Sequence, residues 1–219
     1  MGDARSSILS RIRRAQGRDG TGPSRAELDE LETYLSARRR GPVQPVEGDL
    51  VAAFRARAES LQSTTALAAS DRDVPGLAAR YLAERAIAPS GCVWPALRGL
   101  DWAGAGLALE PRPANGEDAV GVTGAFAALA ETGTLMLLSG PRTHATTSLL
   151  PETHIAVVPV SRVVRCMEDA WDLLRAEHGT LPRQVAFVSG PSRTADIEMT
   201  LVLGIHGPYR VHIVMLARA

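Results

Sequence analysis

The sequence predicts an α/β protein in which a parallel sheet carries helices on both faces, preceded by a helical extension. From Asp49 onward, short apolar strands alternate with helical segments, which is the pattern of a doubly wound sheet. The strands are apolar along nearly their whole length, as strands buried on both faces are. Residues 1–48 contain only helical patterns, so we predict an extension and linker there and one α/β domain over residues 49–219.

The N-terminal extension is predicted to hold two amphipathic helices. The first covers residues 6–16, and a linker over residues 17–23 follows it. The second begins at Ser24, where Ser24 and Glu27 form a capping box, and ends at Arg40 before a Gly-Pro pair. Its leucine stripe is explained either by packing on the chain's own domain or by a contact in a homo-oligomer, and both alternatives stay open.

The α/β region is predicted to alternate helices and strands as far as the C-terminus. Helices are expected near residues 50–62, 76–85, 165–177 and 194–203, with a further short helix between residues 123 and 134. Strands are expected near residues 65–69, 92–94, 106–109, 119–123, 134–138, 154–160, 185–188 and 211–216. Residues 111–117 are predicted to form a surface loop because they combine proline, glycine and asparagine.

Composition excludes several classes of function. Acidic residues and arginines are equal in number, 24 of each, and lysine is absent, so the chain lacks the basic face of a general nucleic-acid binder. The cysteines, Cys92 and Cys166, are too few for a zinc ribbon or a Cys₄ iron–sulfur cluster. No apolar run reaches the length of a membrane span. We therefore predict a cytoplasmic protein without a metal or cofactor of its own.

Ligands of open α/β sheets bind beyond the carboxyl ends of the strands, so we expect the loops after residues 122, 138 and 188 to line a cleft. The third of these loops contains Ser189, Gly190, Ser192, Arg193 and Thr194. If a helix begins at Thr194, the unpaired N–H groups of its first turn would bind an anion together with the hydroxyls and the guanidinium. Asp196 follows in the expected first turn, where it either compensates the helix dipole or serves the site.

A second polar segment precedes the strand predicted at residues 134–138. Glu131, Thr132, Gly133 and Thr134 offer a carboxylate, two hydroxyls and a tight turn, and we expect them to face the loop at residues 189–194. Glu131 is suited to general-base catalysis, to ligand binding or to structural bracing, and the local sequence leaves these roles open. His206, in the glycine-containing turn at residues 204–208, either exchanges protons with a ligand or stabilises the turn.

Four segments in a fixed order carry a family resemblance. They begin at Gly121 (GVTGAFAALAETGT), Leu150 (LPETHIAVVP), Val188 (VSGPSRTADIE) and Gly204 (GIHGP). Together they resemble the LUD-domain family, the lactate-utilisation C proteins, over residues 120–216. The family more often has serine where this chain has Thr134, a change that keeps the hydroxyl.

The resemblance implies a three-layer Rossmann-like fold of the sugar-phosphate isomerase and CoA-transferase group. It also implies a subunit of a lactate-utilisation system that oxidises L-lactate to pyruvate together with iron–sulfur partner proteins. In that setting this chain binds a small anionic ligand, and Arg193 or Arg142 is expected to contact its carboxylate. Two alternatives are a stand-alone CoA-transferase-like or isomerase-like enzyme, in which Glu131 acts on an acyl or enediol intermediate, and an assembly module without catalysis.

Overall fold

The computed structural model describes residues 3–18, 22–195 and 201–217. The chain divides into two compact units, residues 1–42 and residues 43–219. The first unit contains α1 (Ala4–Ala15) and α2 (Arg25–Ala37), so both predicted helices of the extension are confirmed. The predicted capping box is present at the start of α2, since Ser24 Oγ accepts the N–H of Glu27 and the Glu27 carboxylate accepts the N–H of Ser24. The domain boundary after residue 48 stays a prediction.

The second unit alternates helices and strands along most of its length. In chain order its described elements are α3 (Leu50–Ser60), β1 (Thr64–Ala68), α4 (Asp73–Glu84), β2 (Ser90–Val93), β3 (Ala108–Pro111), β4 (Val120–Gly124), β5 (Ala127–Leu129), β6 (Thr134–Leu138), β7 (Thr153–Pro159), β8 (Val163–Val164), α5 (Met167–His178), β9 (Val185–Val188), β10 (Arg193–Ala195), β11 (Leu201–Leu203) and β12 (Arg210–Leu216). None of the helices described is both long enough and apolar enough to cross a bilayer.

Six strands form a parallel sheet in the order β1-β12-β7-β4-β2-β3. Strands β4, β7 and β12 lie in its middle and are buried almost throughout, which explains their nearly continuous apolar sequence. Successive residues point to opposite faces, so Ile155 belongs to one core cluster and Ala156 to another. The predicted α/β class, with a parallel sheet flanked by helices, is confirmed.

The two faces of the parallel sheet are covered differently. On one face, Val74, Ala78 and Leu82 of α4 share a buried core with residues of β4, β7 and β12. The opposite face is covered by α3, through Phe54 and Ala58, and by a second sheet with the strand order β8-β5-β6-β9. α5 packs on the far side of that second sheet. The described elements therefore add a second sheet to the predicted layers.

The second sheet accounts for two errors in the predicted elements. The short helix predicted between residues 123 and 134 is wrong, because Ala127–Leu129 form β5, antiparallel to β6. Ala128 packs toward the parallel sheet, whereas Ala127 and Leu129 pack toward α5, so burial with a period of two prevails over the helix propensity of alanine. β9 is a strand as predicted, but it pairs antiparallel with β6 rather than in a parallel sheet.

The helix predicted over residues 194–203 is also wrong. β10 and β11 occupy its two ends and pair antiparallel with each other. Residues 196–200, which include Asp196, lie outside the described part of the chain. The polar loop after β9 therefore leads into a strand and not into the first turn of a helix.

Candidate functional site

The first candidate site lies where β6 begins and β9 ends. The two strands are antiparallel, with Leu135 opposite Val188. The residues just before β6 and just after β9 are therefore neighbours. Thr134 Oγ1 lies 2.6 Å from Ser189 Oγ, and the hydroxyl of Thr132 donates to Thr134 Oγ1 at 2.8 Å. We call Thr132, Thr134 and Ser189 the hydroxyl cluster. The structure thus joins three predicted ligand-binding residues in one hydrogen-bonded chain.

Two glycines allow the hydroxyl cluster to approach the end of α3. Gly133 has a φ of +66°, and a Cβ at this position would lie 2.5 Å from the backbone nitrogen of Ala58. Gly190 has a φ of +77°, and its Cβ would lie 2.4 Å from the carbonyl oxygen of Leu61. A positive φ together with such a close approach is a condition that glycine meets without strain. Packing against α3 is therefore sufficient to explain both glycines.

Arg193 is directed to the same helix end. Its guanidinium donates a hydrogen bond to the carbonyl oxygen of Leu61, the C-cap residue of α3. Carbonyl oxygens without helical partners gather at a helix C-terminus and give it a partial negative charge, which stabilises a cation and repels an anion. The helix that was expected to begin at Thr194 is wrong, because Thr194 lies in β10. Binding of an anion by Ser192, Arg193 and Thr194 stays a prediction, without the N–H groups of a helix.

Ser192 connects the polar loop to the turn at residues 204–208. Its backbone N–H donates to the carbonyl oxygen of Pro208 at 2.7 Å, and its own carbonyl accepts the N–H of Gly204 at 3.0 Å. His206 lies in this turn with an exposed side chain. Within the described part of the chain, no hydrogen bond links His206 to Glu131 or to the hydroxyl cluster.

Glu131 is half-buried just before the hydroxyl cluster. One of its carboxylate oxygens accepts the backbone N–H of Gln44 at 2.8 Å, and its own N–H donates to the carbonyl of Arg165 at 2.9 Å. The guanidinium of Arg165 donates in turn to the carbonyl of Val46 at 2.6 Å. The side chains of Glu131 and Arg165 thus hold the segment that leads into α3. Of the three roles open to Glu131, this geometry corresponds to structural bracing.

A cleft opens at the opposite end of β6. Its walls come from the segments that follow β2, β4 and β6, with Trp94, Phe126 and Ser139 among the lining residues, and its volume is about 480 Å³. We call it the β2–β4 cleft. A neighbouring cavity of about 790 Å³ shares Ser139 and the loop after it. The loops after residues 122 and 138 meet here, whereas the loop after residue 188 lies elsewhere because β9 runs antiparallel to β6.

Arg142 lies in the loop at the rim of this cleft and not in the hydroxyl cluster. It is exposed between Pro141 and Thr143, two residues of the cleft wall. Since β6 separates them, Arg142 lies beyond the end of a strand that extends for about 14 Å from Thr134 to Leu138. The structure therefore divides the predicted ligand-binding residues between two places.

The aromatic wall of the β2–β4 cleft is a feature that the sequence reasoning missed. Trp94 directly follows β2, and Phe126 comes two residues after β4. The signal available in the sequence was their position, since Trp94 ends one predicted strand and Phe126 lies three residues after another. Their importance depends on β2 and β4 being neighbours, which the strand pattern did not specify.

Two histidines are buried in the parallel sheet. His154 Nε2 lies 2.7 Å from Thr123 Oγ1, and His212 Nδ1 lies 2.8 Å from Thr64 Oγ1. The ring of His212 also stacks on Tyr81 with centroids 4.0 Å apart. Desolvation lowers the pKa of each imidazole to about 4, so both are neutral near pH 7. They stabilise the core and are remote from solvent.

The two cysteines are also buried, and neither forms a disulfide. Desolvation raises the pKa of Cys92 to about 12, and it raises the pKa of Cys166 as well. Since thiols bind metals as thiolates, both residues are poor metal ligands where they stand. Among the residues that the structure describes, no three His, Cys, Asp or Glu side chains form a group able to hold a metal ion.

Comparisons with known proteins give a consistent result. Residues 101–216 match the LUD domain family. A segment of 101 residues is 42% identical to Lactate utilization protein C of Bacillus subtilis (strain 168) and covers 45% of this chain and 42% of that protein. A segment of 100 residues is 44% identical to Lactate utilization protein C of Exiguobacterium sp. (strain ATCC BAA-1283 / AT1b), covering 44% of each. The alignments thus span less than half the length of these relatives.

A solved structure supports the fold. The crystal structure of a DUF162 family protein from Deinococcus radiodurans superposes with a TM-score of 0.57 at 22% sequence identity. The superposition covers 79% of this chain and 100% of that protein. At this level of identity the similarity establishes the architecture and leaves the chemistry to be argued from the residues.

Proposed function

Because this chain belongs to the LUD-domain family, we propose that it is a subunit of a system that oxidises L-lactate to pyruvate in the cytoplasm. In this proposal the chain binds a small organic anion, and iron–sulfur partner proteins transfer the electrons. The observation that carries the proposal is the identity of about 40% to proteins called Lactate utilization protein C, together with the match to the LUD domain family over residues 101–216, which include the hydroxyl cluster.

The chemistry of the cysteines supports a role without electron transfer. An iron–sulfur cluster requires several thiolates at one place. Here Cys92 lies in β2 and Cys166 precedes α5, both are buried, and burial raises the pKa of both thiols. Electrons from lactate would therefore pass to a partner protein that carries the clusters.

The charge around the two candidate places favours Arg142 as the contact for a carboxylate. Arg193 already donates to the Leu61 carbonyl at the negative end of α3, where a second anion would be repelled. Arg142 is held at its backbone, because its carbonyl accepts the N–H of Ala96 at 3.3 Å. In the described part of the chain, no hydrogen bond or ion pair occupies its guanidinium, so the planar donors remain available for a bidentate contact.

The contacts of Glu131 support a bracing role. One of its carboxylate oxygens accepts the N–H of Gln44, and the adjacent hydroxyls bond to one another. This contact engages one of the two carboxylate oxygens, and a nucleophilic carboxylate needs one free oxygen. The stand-alone enzyme therefore stays the alternative, and the substitution Glu131→Gln tests it, because the amide keeps the acceptor for Gln44 while removing the nucleophile.

Reconstitution of the lactate-oxidising reaction tests the proposal. The purified chain, the partner iron–sulfur proteins and the complete mixture are each assayed for L-lactate-dependent reduction of an electron-accepting dye. We expect activity in the complete mixture, no activity from the chain alone, and normal activity with Glu131→Gln. Dye reduction by the isolated chain would contradict a role without redox chemistry. A mixture that is equally active without the chain would remove it from the system.

A further inference from the structure

The β2–β4 cleft lies at the point of the parallel sheet where the direction of the chain reverses. From β2 the chain moves outward to β3, whereas from β4 it moves the other way to β7 and then to β12. The helices and loops that follow two such strands diverge and leave a crevice at their carboxyl ends, where ligands of open α/β sheets bind. Trp94 and Gly124 occupy those two ends, and both line the cleft.

The wall of the β2–β4 cleft is mainly apolar and aromatic. Trp94 presents only carbon atoms, because its indole N–H already donates to the carbonyl of His144 at 2.8 Å. Phe126 is held in place by the Arg162 guanidinium, 5.3 Å from its ring centroid, and by the edge of His178. Cavities of roughly 300–1,000 Å³ with such walls enclose ligands the size of a drug molecule. At about 480 Å³, the cleft is much larger than one molecule of lactate.

The polar part of the wall is positive or neutral. No aspartate or glutamate lines the cleft or its neighbouring cavity in the described part of the chain. Arg183 lines the neighbouring cavity, His178 lines the cleft, and Arg142 stands in the loop shared by both. An apolar body would therefore find its complement in the cleft, and an anionic end would find its complement at the rim.

We propose that the β2–β4 cleft binds an organic anion with an apolar body of about the size of two fused rings, its charged group held by Arg142 and Arg183. The proposal rests on the ligand-binding role proposed above and specifies the class of ligand for it. Lactate alone leaves the aromatic wall without a partner.

Binding of simple probes to the full chain tests this assignment. The probes are 2-naphthoate, the neutral analogue 2-naphthylmethanol and L-lactate, and their Kd values are measured by isothermal titration calorimetry. We expect 2-naphthoate to bind at least tenfold more tightly than either of the others. Equal binding of naphthoate and naphthylmethanol would overturn the anionic end, and binding of lactate as tight as that of naphthoate would overturn the apolar body.

Two variants locate the probe in the cleft. Arg142→Ala should weaken naphthoate binding at least fivefold and leave naphthylmethanol unchanged, whereas the matched control Arg72→Ala, on an exposed arginine before α4, should change neither. Gly124→Leu should abolish binding of both, because a Cβ at Gly124 already comes within 3.7 Å of the Trp94 ring and a larger side chain fills the space. Gly116→Leu, in open space, is its control. Unchanged naphthoate affinity in both cleft variants would refute the site.

The outcomes separate this inference from the proposed function. If lactate binds and naphthoate does not, the lactate ligand stands and the apolar class is wrong. If naphthoate binds in the cleft but the reconstituted mixture oxidises lactate equally well without the chain, the site stands and the proposed function is wrong.

Discussion

Gly133 provides a direct test of the packing that joins the hydroxyl cluster to α3. The substitution Gly133→Ala places a methyl group 2.5 Å from Ala58 N and 2.7 Å from the carbonyl carbon of Arg57. Both atoms belong to the backbone of α3, and Ala58 is fully buried, so neither can move aside cheaply. The φ of +66° is a second cost, because alanine disfavours the left-handed region.

The magnitude follows from these two terms. The left-handed backbone costs about 1 kcal/mol with alanine, and forcing a methyl group into a closely packed site costs a further 1–3 kcal/mol or so, giving about 3 kcal/mol of lost stability. Gly106→Ala is the matched control. Gly106 also has a positive φ, +78°, but no atom lies within 4 Å of its Cβ, so it lacks the packing cost and should lose only about 1 kcal/mol.

Urea denaturation followed by circular dichroism measures both variants under the same conditions. We expect the midpoint of Gly133→Ala to fall clearly further than that of Gly106→Ala, with unchanged slopes. If the two losses agree within about 0.5 kcal/mol, the backbone cost alone explains both. The close approach of Gly133 to α3 would then be refuted.

Three further outcomes are expected. The free energy of unfolding should fall as the pH drops from 6.5 toward 4, by up to about 3 kcal/mol for each of His154 and His212, because desolvation lowers the folded-state pKa of both to about 4 and the unfolded chain takes up the protons first. In urea titrations, His212→Gln should remove about half of this pH dependence. An unchanged pH dependence would contradict the contribution of His212. Cys92 should resist iodoacetamide at pH 8 in the native protein and react in urea, because burial raises its pKa to about 12 and lowers its thiolate fraction about a thousandfold. Rapid labelling of Cys92 in the native protein, detected by peptide mapping, would disprove its burial. Asp118→Asn should cost about 2 kcal/mol in thermal unfolding, because it breaks a bidentate contact of a nearly buried carboxylate with Arg112; an unchanged Tm would count against that contact.

The sequence allowed the fold class to be predicted because burial patterns are local. Strands β4, β6, β7 and β12 are apolar over most of their length, and each lies within two residues of its predicted position. Pairing direction is not local. β9 carries the same apolar pattern whether its neighbour is parallel or antiparallel, and only tertiary contacts with β6 decide between the two.

The two helices that were wrongly predicted have different physical causes. Residues 125–130 are rich in alanine, which favours a helix in isolation, but small side chains also fit a short strand between α5 and the parallel sheet. Residues 194–203 begin with a threonine followed by acidic residues, which is the usual start of a helix. There β10 and β11 pair with each other, and the local signal gives way to this strand pairing.

Tertiary contacts that the local sequence does not specify also determine the electrostatic environment of the first candidate site. The loop from Ser189 to Thr194 was expected to meet the N-terminus of a helix, whose N–H groups attract anions. It meets the C-terminus of α3 instead, where Arg193 donates a hydrogen bond to a carbonyl oxygen. The partial charge at this helix end is negative, so the same residues lie where a cation is favoured and an anion is not. Which helix end a loop meets depends on the tertiary fold, and the local sequence does not encode it.

This reversal separates the segment that marks the family from the place best built for a ligand. Gly133 and Gly190 allow the hydroxyl cluster to pack against α3, and the backbone of Ser192 forms hydrogen bonds with the turn at residues 204–208. The distinctive motifs therefore connect layers of the fold. The β2–β4 cleft is formed by commoner residues whose neighbourhood arises only when β2 and β4 pair. Substitutions in the hydroxyl cluster should therefore reduce stability first, whereas substitutions around Arg142 should reduce ligand affinity at unchanged stability.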